Sequence, residues 1–361
     1  MNVIAVSARD LTRDHAMQWR TLQAANPSCA GPHFCIEFVQ AVAEVRGDIE
    51  VAMVSQDGEP IAFVPFRRAK GNVARPIADN FSDFQGCVVS PDASWAADEV
   101  LRQCRLNAFH FSNVPENCPA LEPFFWQRRE ASYIDLSNGF EEYRAARRRA
   151  GSDEIQESLR KTRKIQRDIA PLHFEPRSTD PAVFRTLIAW KRAQLESQKL
   201  GDSFAGVWVL PLLEGIVNTR SDAFTGVMSV LRVGGEILAI NLGMRSRGVF
   251  HGWVTTYNRH FAKYSPGLMM MTQLAQSAEE NRIRRIEMGC GGEAFKQSLA
   301  SGTHTFASGT IDLRPVTRIA TQGWMMAKAM IRDTPLEAVA RTVSRQLGHT
   351  KQLVAPAFRD V

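Results

Sequence analysis

At 361 residues, with 44% apolar and 23% charged, the chain has ordinary globular composition and exceeds the length one core usually organises, so two domains are expected. No run approaches the ~18 apolar residues of a membrane span, and Arg9, Asp10, Arg13 and Asp14 stand where a signal peptide needs an apolar stretch, which reads as a cytoplasmic protein. The net charge of +6 favours anionic partners, and six cysteines without a paired Cys or His spacing argue against a metal site or a disulfide framework.

Helical apolar spacing predicts helices over residues 11–24 and 34–45, with Pro32 just before the second. Strands at 50–55 and 60–66 flank Asp57-Gly58, a strong hairpin signal because Gly tolerates the positive φ of a tight turn. Short strands near 86–90 and 108–112 bracket a helix at 94–105. Prolines then cluster over 115–123, and the boundary is placed there, dividing the chain into 1–125, 126–315 and a helical tail 316–361. A strand at 131–136 opens the second part, followed by helices at 153–169, 181–199 and 209–218, and by a second hairpin, 227–233 and 236–242, about Gly234 and Gly235. Gly58-Glu59-Pro60-Ile61-Ala62 aligns with Gly235-Glu236-Ile237-Leu238-Ala239, and in both places helices precede a meander of strands. The chain therefore reads as two copies of one fold. Residues 144–167 hold nine Lys or Arg against three acids, but without interleaved aromatics or a recognition motif, so sequence-specific nucleic-acid binding is not expected.

The chemistry concentrates in 248–300. A β-branched and aromatic strand, 248–257, leads through a polar loop to Ser265-Pro266-Gly267-Leu268 and a helix over 269–280. Ser as N-cap and Pro at the first helical position make a well-formed start whose amides suit a phosphate or pyrophosphate, with Arg259 and Lys263 adding charge. A strand at 284–288 follows, then the turn Gly289-Cys290-Gly291-Gly292 and the pair Glu293 and Lys296. Neither a Walker A nor a dinucleotide fingerprint is present.

Residues 258–268 followed by 286–296 resemble the CelD/BcsL family of GNAT-like acetyltransferases, which show a Tyr-Asp-Pro-like strand end, a Ser-Pro-Gly helix start and a Gly-Asp/Glu-x-Tyr-Lys segment. Here Asn258 and Glu287 stand where Asp is usual, and Phe295 where Tyr is usual. That family is similar to the Fem-type aminoacyltransferases, which carry two GNAT folds in tandem. The resemblance implies an α/β (α+β) protein of two tandem GNAT-like domains, each a mixed, mainly antiparallel sheet flanked by helices. The first lacks a Ser-Pro-Gly start and would serve as a structural or acceptor-binding half. It further implies an acyl-CoA-dependent N- or O-acetyltransferase, with acetyl-CoA as donor and a sugar or lipid-linked saccharide as acceptor in exopolysaccharide biosynthesis. The alternatives are a Fem-like transferase using aminoacyl-tRNA and a non-catalytic ligand sensor. Trp253 to Tyr257 would line the donor, with a backbone amide near Val254 as oxyanion donor, and Ser265, Pro266, Gly267 and Leu268 with Arg259 would hold the pyrophosphate. Glu287, His251 and Glu293 are candidate general bases, Tyr257 a candidate acid, and Glu293 and Lys296 candidate acceptor ligands. Arg147, Arg148 and Arg149 could touch an anionic membrane face, and Arg332, Arg341, Arg345 and Lys351 an anionic regulator such as cyclic di-GMP.

Overall fold

The computed structural model describes residues 1–91, 93–291 and 294–315; the expected helical tail and its arginines lie outside these residues. The N-terminal half begins with β1 (Asn2–Ser7), α1 (Arg13–Ala25) and α2 (Ile36–Val45). It continues with β2 (Ile49–Gln56), β3 (Glu59–Ala69), β4 (Val73–Arg75), β5 (Val88–Val89), α3 (Ala97–Gln103) and β6 (Ala108–Pro115). Next come β7 (Phe125–Asp135) and two basic helices, α4 (Gly139–Arg149) and α5 (Glu154–Asp168). The C-terminal half runs β8 (Leu172–Glu175), α6 (Pro181–Ser197), α7 (Val209–Asn218), β9 (Thr225–Val233), β10 (Glu236–Ser246), β11 (Val249–Tyr257), α8 (Pro266–Gln276), β12 (Arg285–Cys290), α9 (Ala294–Leu299) and β13 (Gly302–Asp312).

Local chemistry explains several boundaries. The Thr12 hydroxyl accepts from the His15 amide while the His15 ring accepts from the Thr12 amide, a reciprocal cap that starts α1. Asp180 caps α6 through the Ala182 amide (2.7 Å), with Pro181 at the first position, where its missing N–H costs nothing. Both hairpins close through the same turn: φ is 53° and 87° at Asp57 and Gly58, and 55° and 88° at Gly234 and Gly235. Positive φ at both central residues gives the turn whose twist matches that of the strands.

The strands form one sheet in the order β1-β2-β3-β4-β6-β13-β7-β12-β11-β10-β9-β8, with β5 on β3. The two halves repeat each other. β1 to β4 pair antiparallel and β6 returns parallel to β4; β8 to β11 pair antiparallel and β12 returns parallel to β11. Beyond that point the halves exchange strands. β7, which follows the first half, pairs antiparallel with β12 of the second. β13, which ends the second, lies beside β6, with the Glu116 amide donating to the Thr305 carbonyl at 3.2 Å. β7 and β13 pair with each other at the seam.

The same seam is buried. One apolar cluster joins Phe38 and Val42 of α2 to Leu212, Leu213 and Ile216 of α7, all 1% exposed or less. Burying such a side chain contributes about 1.5–3 kcal/mol, so the junction of the halves is core rather than hinge. A second cluster packs Ile155 and Ile165 of α5 against Met269, Met270 and Leu274 of α8. The basic run is partly neutralised on the surface by Arg144–Glu141, Arg149–Glu142 and Arg160–Glu157 pairs. Among the described residues no helix is long and apolar enough to cross a membrane, and the six cysteines are free.

Candidate active site

β11 and β12 pair only from Val249–Arg285 to His251–Glu287 and then part, while β11 continues to Tyr257. Irregularities on both strands drive the divergence. On β11 the register against β10 slips between Leu242 and Gly243, leaving Trp253 as the extra residue of a bulge. Only Gly fits opposite it: a Cβ on Gly243 would lie 2.4 Å from the His251 carbonyl. On β12 the register against β7 slips between Glu287 and Cys290.

At the open end of this wedge stands the start of α8. Pro266 begins the helix as expected, but Ser265 does not cap it. Ser265 sits at φ 56°, its hydroxyl accepts from Lys161 Nζ (2.8 Å), and no side chain accepts from the first-turn amides. The amides of Gly267 and Leu268 therefore meet no capping side chain at the positive end of the helix dipole. Tyr257, 41% exposed, flanks Gly267, where a Cβ would lie 3.9 Å from the Tyr257 ring. Arg259 is exposed and bonds Ser197 Oγ, and Lys263 lies over the Tyr264 ring. Lys191 of α6 reaches the Thr255 carbonyl on β11 at 3.3 Å.

At the closed end, Glu287 is 4% exposed, a buried group rather than a solvated strand end. Oε1 faces Arg285 Nε at 2.7 Å and His304 Nε2 at 3.8 Å, while Oε2 has no hydrogen-bond partner. Burial raises the Glu287 carboxyl above its ordinary value against the opposing charges of Arg285 and His251. The His304 ring stacks on Tyr133 (4.4 Å). Glu287 and Arg285 also line a cavity of about 500 Å³ together with Phe34, Phe84, His304 and Phe306, so both halves and β13 contribute to its walls.

His251 is fully buried, and its Nε2 lies 2.8 Å from Asp83 Oδ2. Burial alone would raise the Asp83 carboxyl; the hydrogen bond and charge of His251 outweigh it and hold it below its ordinary value. Trp253 Nε1 donates to the Phe81 carbonyl (3.2 Å) and Val254 is buried. Lys296 Nζ bonds the Cys290 carbonyl (3.3 Å), and Glu293 lies outside the described residues.

The sequence-predicted residues thus fall into two groups. Glu287 and His251 meet at the closed end; Tyr257, Arg259 and Ser265 to Leu268 gather at the open end, six residues further along β11 and so ~20 Å away at the rise of a strand. Tyr257 cannot reach a group reacting at Glu287. Arg285, His304, Tyr133, Asp83 and Lys161 were not anticipated; only Arg285, two residues from Glu287 and hence on the same strand face, carried a readable signal.

Two antiparallel meanders, each followed by a crossover helix and a returning parallel strand, the second of which splays from its neighbour, form a tandem GNAT-like fold. Residues 153–297 match the acetyltransferase (GNAT) domain family. FemX superposes with a TM-score of 0.59 at 9% identity, over 89% of this chain and 99% of that one. A domain named as the C-terminal part of a putative lysylphosphatidylglycerol synthetase from Agrobacterium fabrum gives 0.51 at 15% identity, covering 81% and 91%. A conserved protein of unknown function from Bacteroides thetaiotaomicron gives 0.51 at 13%, covering 83% and 98%. No curated protein matches the sequence.

Proposed function

We propose that this chain is an acyl-CoA-dependent N- or O-acyltransferase, with acetyl-CoA as donor and a saccharide amine or hydroxyl as acceptor. The carrying observation is the ~20 Å of unpaired β11 edge that separates an uncapped helix start from a buried carboxylate with an orphan oxygen. A donor with its diphosphate on the Gly267 and Leu268 amides would lay its pantetheine arm along that edge. Its thioester would then arrive at the point where β11 and β12 part.

The acceptor enters from the other side, through the cavity that reaches Glu287. Its nucleophile attacks the thioester carbonyl, forming a C–N or C–O bond and breaking C–S. Glu287 takes the proton of the nucleophile, and the departing thiolate is protonated by solvent. A carboxyl raised by burial is the better proton acceptor near neutral pH. The rings of Phe34, Phe84 and Phe306 and the polar groups of Arg285, Asn117 and Thr303 all line the cavity, a mix that suits a sugar, apolar on its faces and polar on its rim. The exopolysaccharide setting is carried by the sequence resemblance.

Calorimetric titration with acetyl-CoA, charged tRNA and uncharged tRNA tests the donor. Micromolar binding of acetyl-CoA is the expected result. Binding of charged tRNA alone would replace the donor with an aminoacyl ester, and binding of none of the three would overturn the enzymatic reading.

A further inference from the structure

Behind the closed end of the wedge, three side chains from distant parts of the chain converge: His33 in the 3-10 turn Pro32–Phe34, Asp83 in the loop after the 3-10 turn Asp79–Phe81, and His251 on β11. One ligand atom from each lies within 4.8 Å of the others. We propose that His33, Asp83 and His251 form a site for a divalent first-row transition metal ion, for which zinc is the natural probe.

The hydrogen bond between Asp83 and His251 accounts for one ring nitrogen of the four. Neither nitrogen of His33 has a hydrogen-bond partner, nor does Nδ1 of His251, although the two residues are 4% and 0% exposed. A buried polar atom left unpaired costs about 1–3 kcal/mol, and an ion, taking one nitrogen from each ring, would give His33 a partner that it otherwise lacks. The Phe81 backbone lies near His33 without a well-aligned bond.

The surroundings suit an ion. The His33 ring meets His251 edge-on at 4.7 Å and is enclosed by Phe38, Phe84 and Trp253, a shell of low polarity in which ligand–metal attraction is strong. Asp83, with 35% of its side chain exposed, gives the route of entry. Two imidazoles and one carboxylate are the donor set of borderline ions and not of magnesium or calcium, which take oxygen. An ion here would tie the N-terminal half, through His33 and Asp83, to β11 of the C-terminal half. The proposal departs from the expectation of no metal, which rested on ligand spacing; His33, Asp83 and His251 have no spacing to read.

The test uses the full chain, stripped with a chelator and titrated with zinc, with magnesium as control. Binding of one zinc, a rise in melting temperature that grows with zinc concentration, and no effect of magnesium are expected. Cobalt(II) in its place should give visible d–d absorption. His33→Gln and Asp83→Asn should each weaken zinc binding by roughly 10- to 100-fold or more, with far-UV circular dichroism reporting their fold. X-ray absorption on the wild-type zinc form, which depends on no variant, should show two imidazole ligands. Failure to bind zinc at tens of micromolar, wild-type affinity in folded variants, or a zinc shell without histidine would each overturn the site.

Discussion

β4–α3–β6 and β11–α8–β12 hold equivalent places in the two halves, yet they have been put to different uses. β4 is three residues long against nine for β11, and α3 is seven against eleven for α8. A three-residue strand has no unpaired length along which an extended ligand can lie. The chain the N-terminal half does not spend on strand or helix there forms the loop carrying Asp83 and Phe84, which reaches across to His251 and the cavity. Of the two equivalent places, only β11–α8–β12 opens into a wedge, while the other supplies a wall of the cavity.

The largest expected effect sets Glu287 against its counterpart. Val73 and Ala74 pair with Ala108 and Phe109 as Val249 and Phe250 pair with Arg285 and Ile286, so the next step of register makes His110 the equivalent of Glu287. Glu287→Gln should lower kcat by roughly 10²- to 10⁴-fold with little change in the donor KM, while His110→Gln leaves both near wild type. Steady-state kinetics on both variants decide it; equal losses would erase the distinction between the halves.

Next in size is Gly267→Asp. A carboxylate ~4 Å from a diphosphate costs about 1–4 kcal/mol depending on local dielectric, so donor Kd should rise about 10-fold or more. The same carboxylate in the first turn favours the helix by about 0.3–1 kcal/mol. Calorimetry and thermal melting should therefore move in opposite senses, and parallel losses would mark mere misfolding.

A smaller effect follows from burial. The Glu287 carboxyl is raised, so its basic form is depleted at acid pH and the rate should climb as pH rises through a midpoint above the ordinary 4.5. For stability the sign is reversed: a raised carboxyl favours the folded chain at pH below its unfolded value, and that contribution is lost as pH rises through the folded one. Glu287→Gln should flatten the acid limb of the rate profile and remove this stability term; a limb that persists assigns the titration elsewhere.

The smallest effect is a symmetry check. Gly58 and Gly235 share φ near 87–88° with open space around them. Ala at either should cost about 1–2 kcal/mol and lower the melting temperature equally. Unequal shifts would show that the two meanders are not energetically equivalent.

The sequence made the repeat visible because hairpins are local: Asp57-Gly58 and Gly234-Gly235 each write their geometry into adjacent residues, whereas the cap expected of Ser265 is replaced by a bond from Lys161, far away in the chain. α7 matches the expected 209–218, and α5 and α6 fall within two residues of expectation. What was hidden is non-local. β1, α4, β8 and β13 were not anticipated, and β7 begins at Phe125, six residues before the expected strand. The setting of Glu287 depends on β7 pairing beside β12 and on β13, beyond β7, bringing His304 to its carboxylate, which no window of sequence contains. Asp83 looks like any loop carboxylate until β11 is placed beside it.

The strand exchange sets a timetable for synthesis. β6 leaves the ribosome by Pro115, but its neighbour β13 begins only at Gly302. At ~5–20 residues per second, that edge waits on the order of 10 s without a partner. An open strand edge invites pairing with another chain, so a nascent copy of this protein passes through a window in which self-association competes with completion. Any change that slows translation between the two strands lengthens that exposure without altering one contact of the finished molecule.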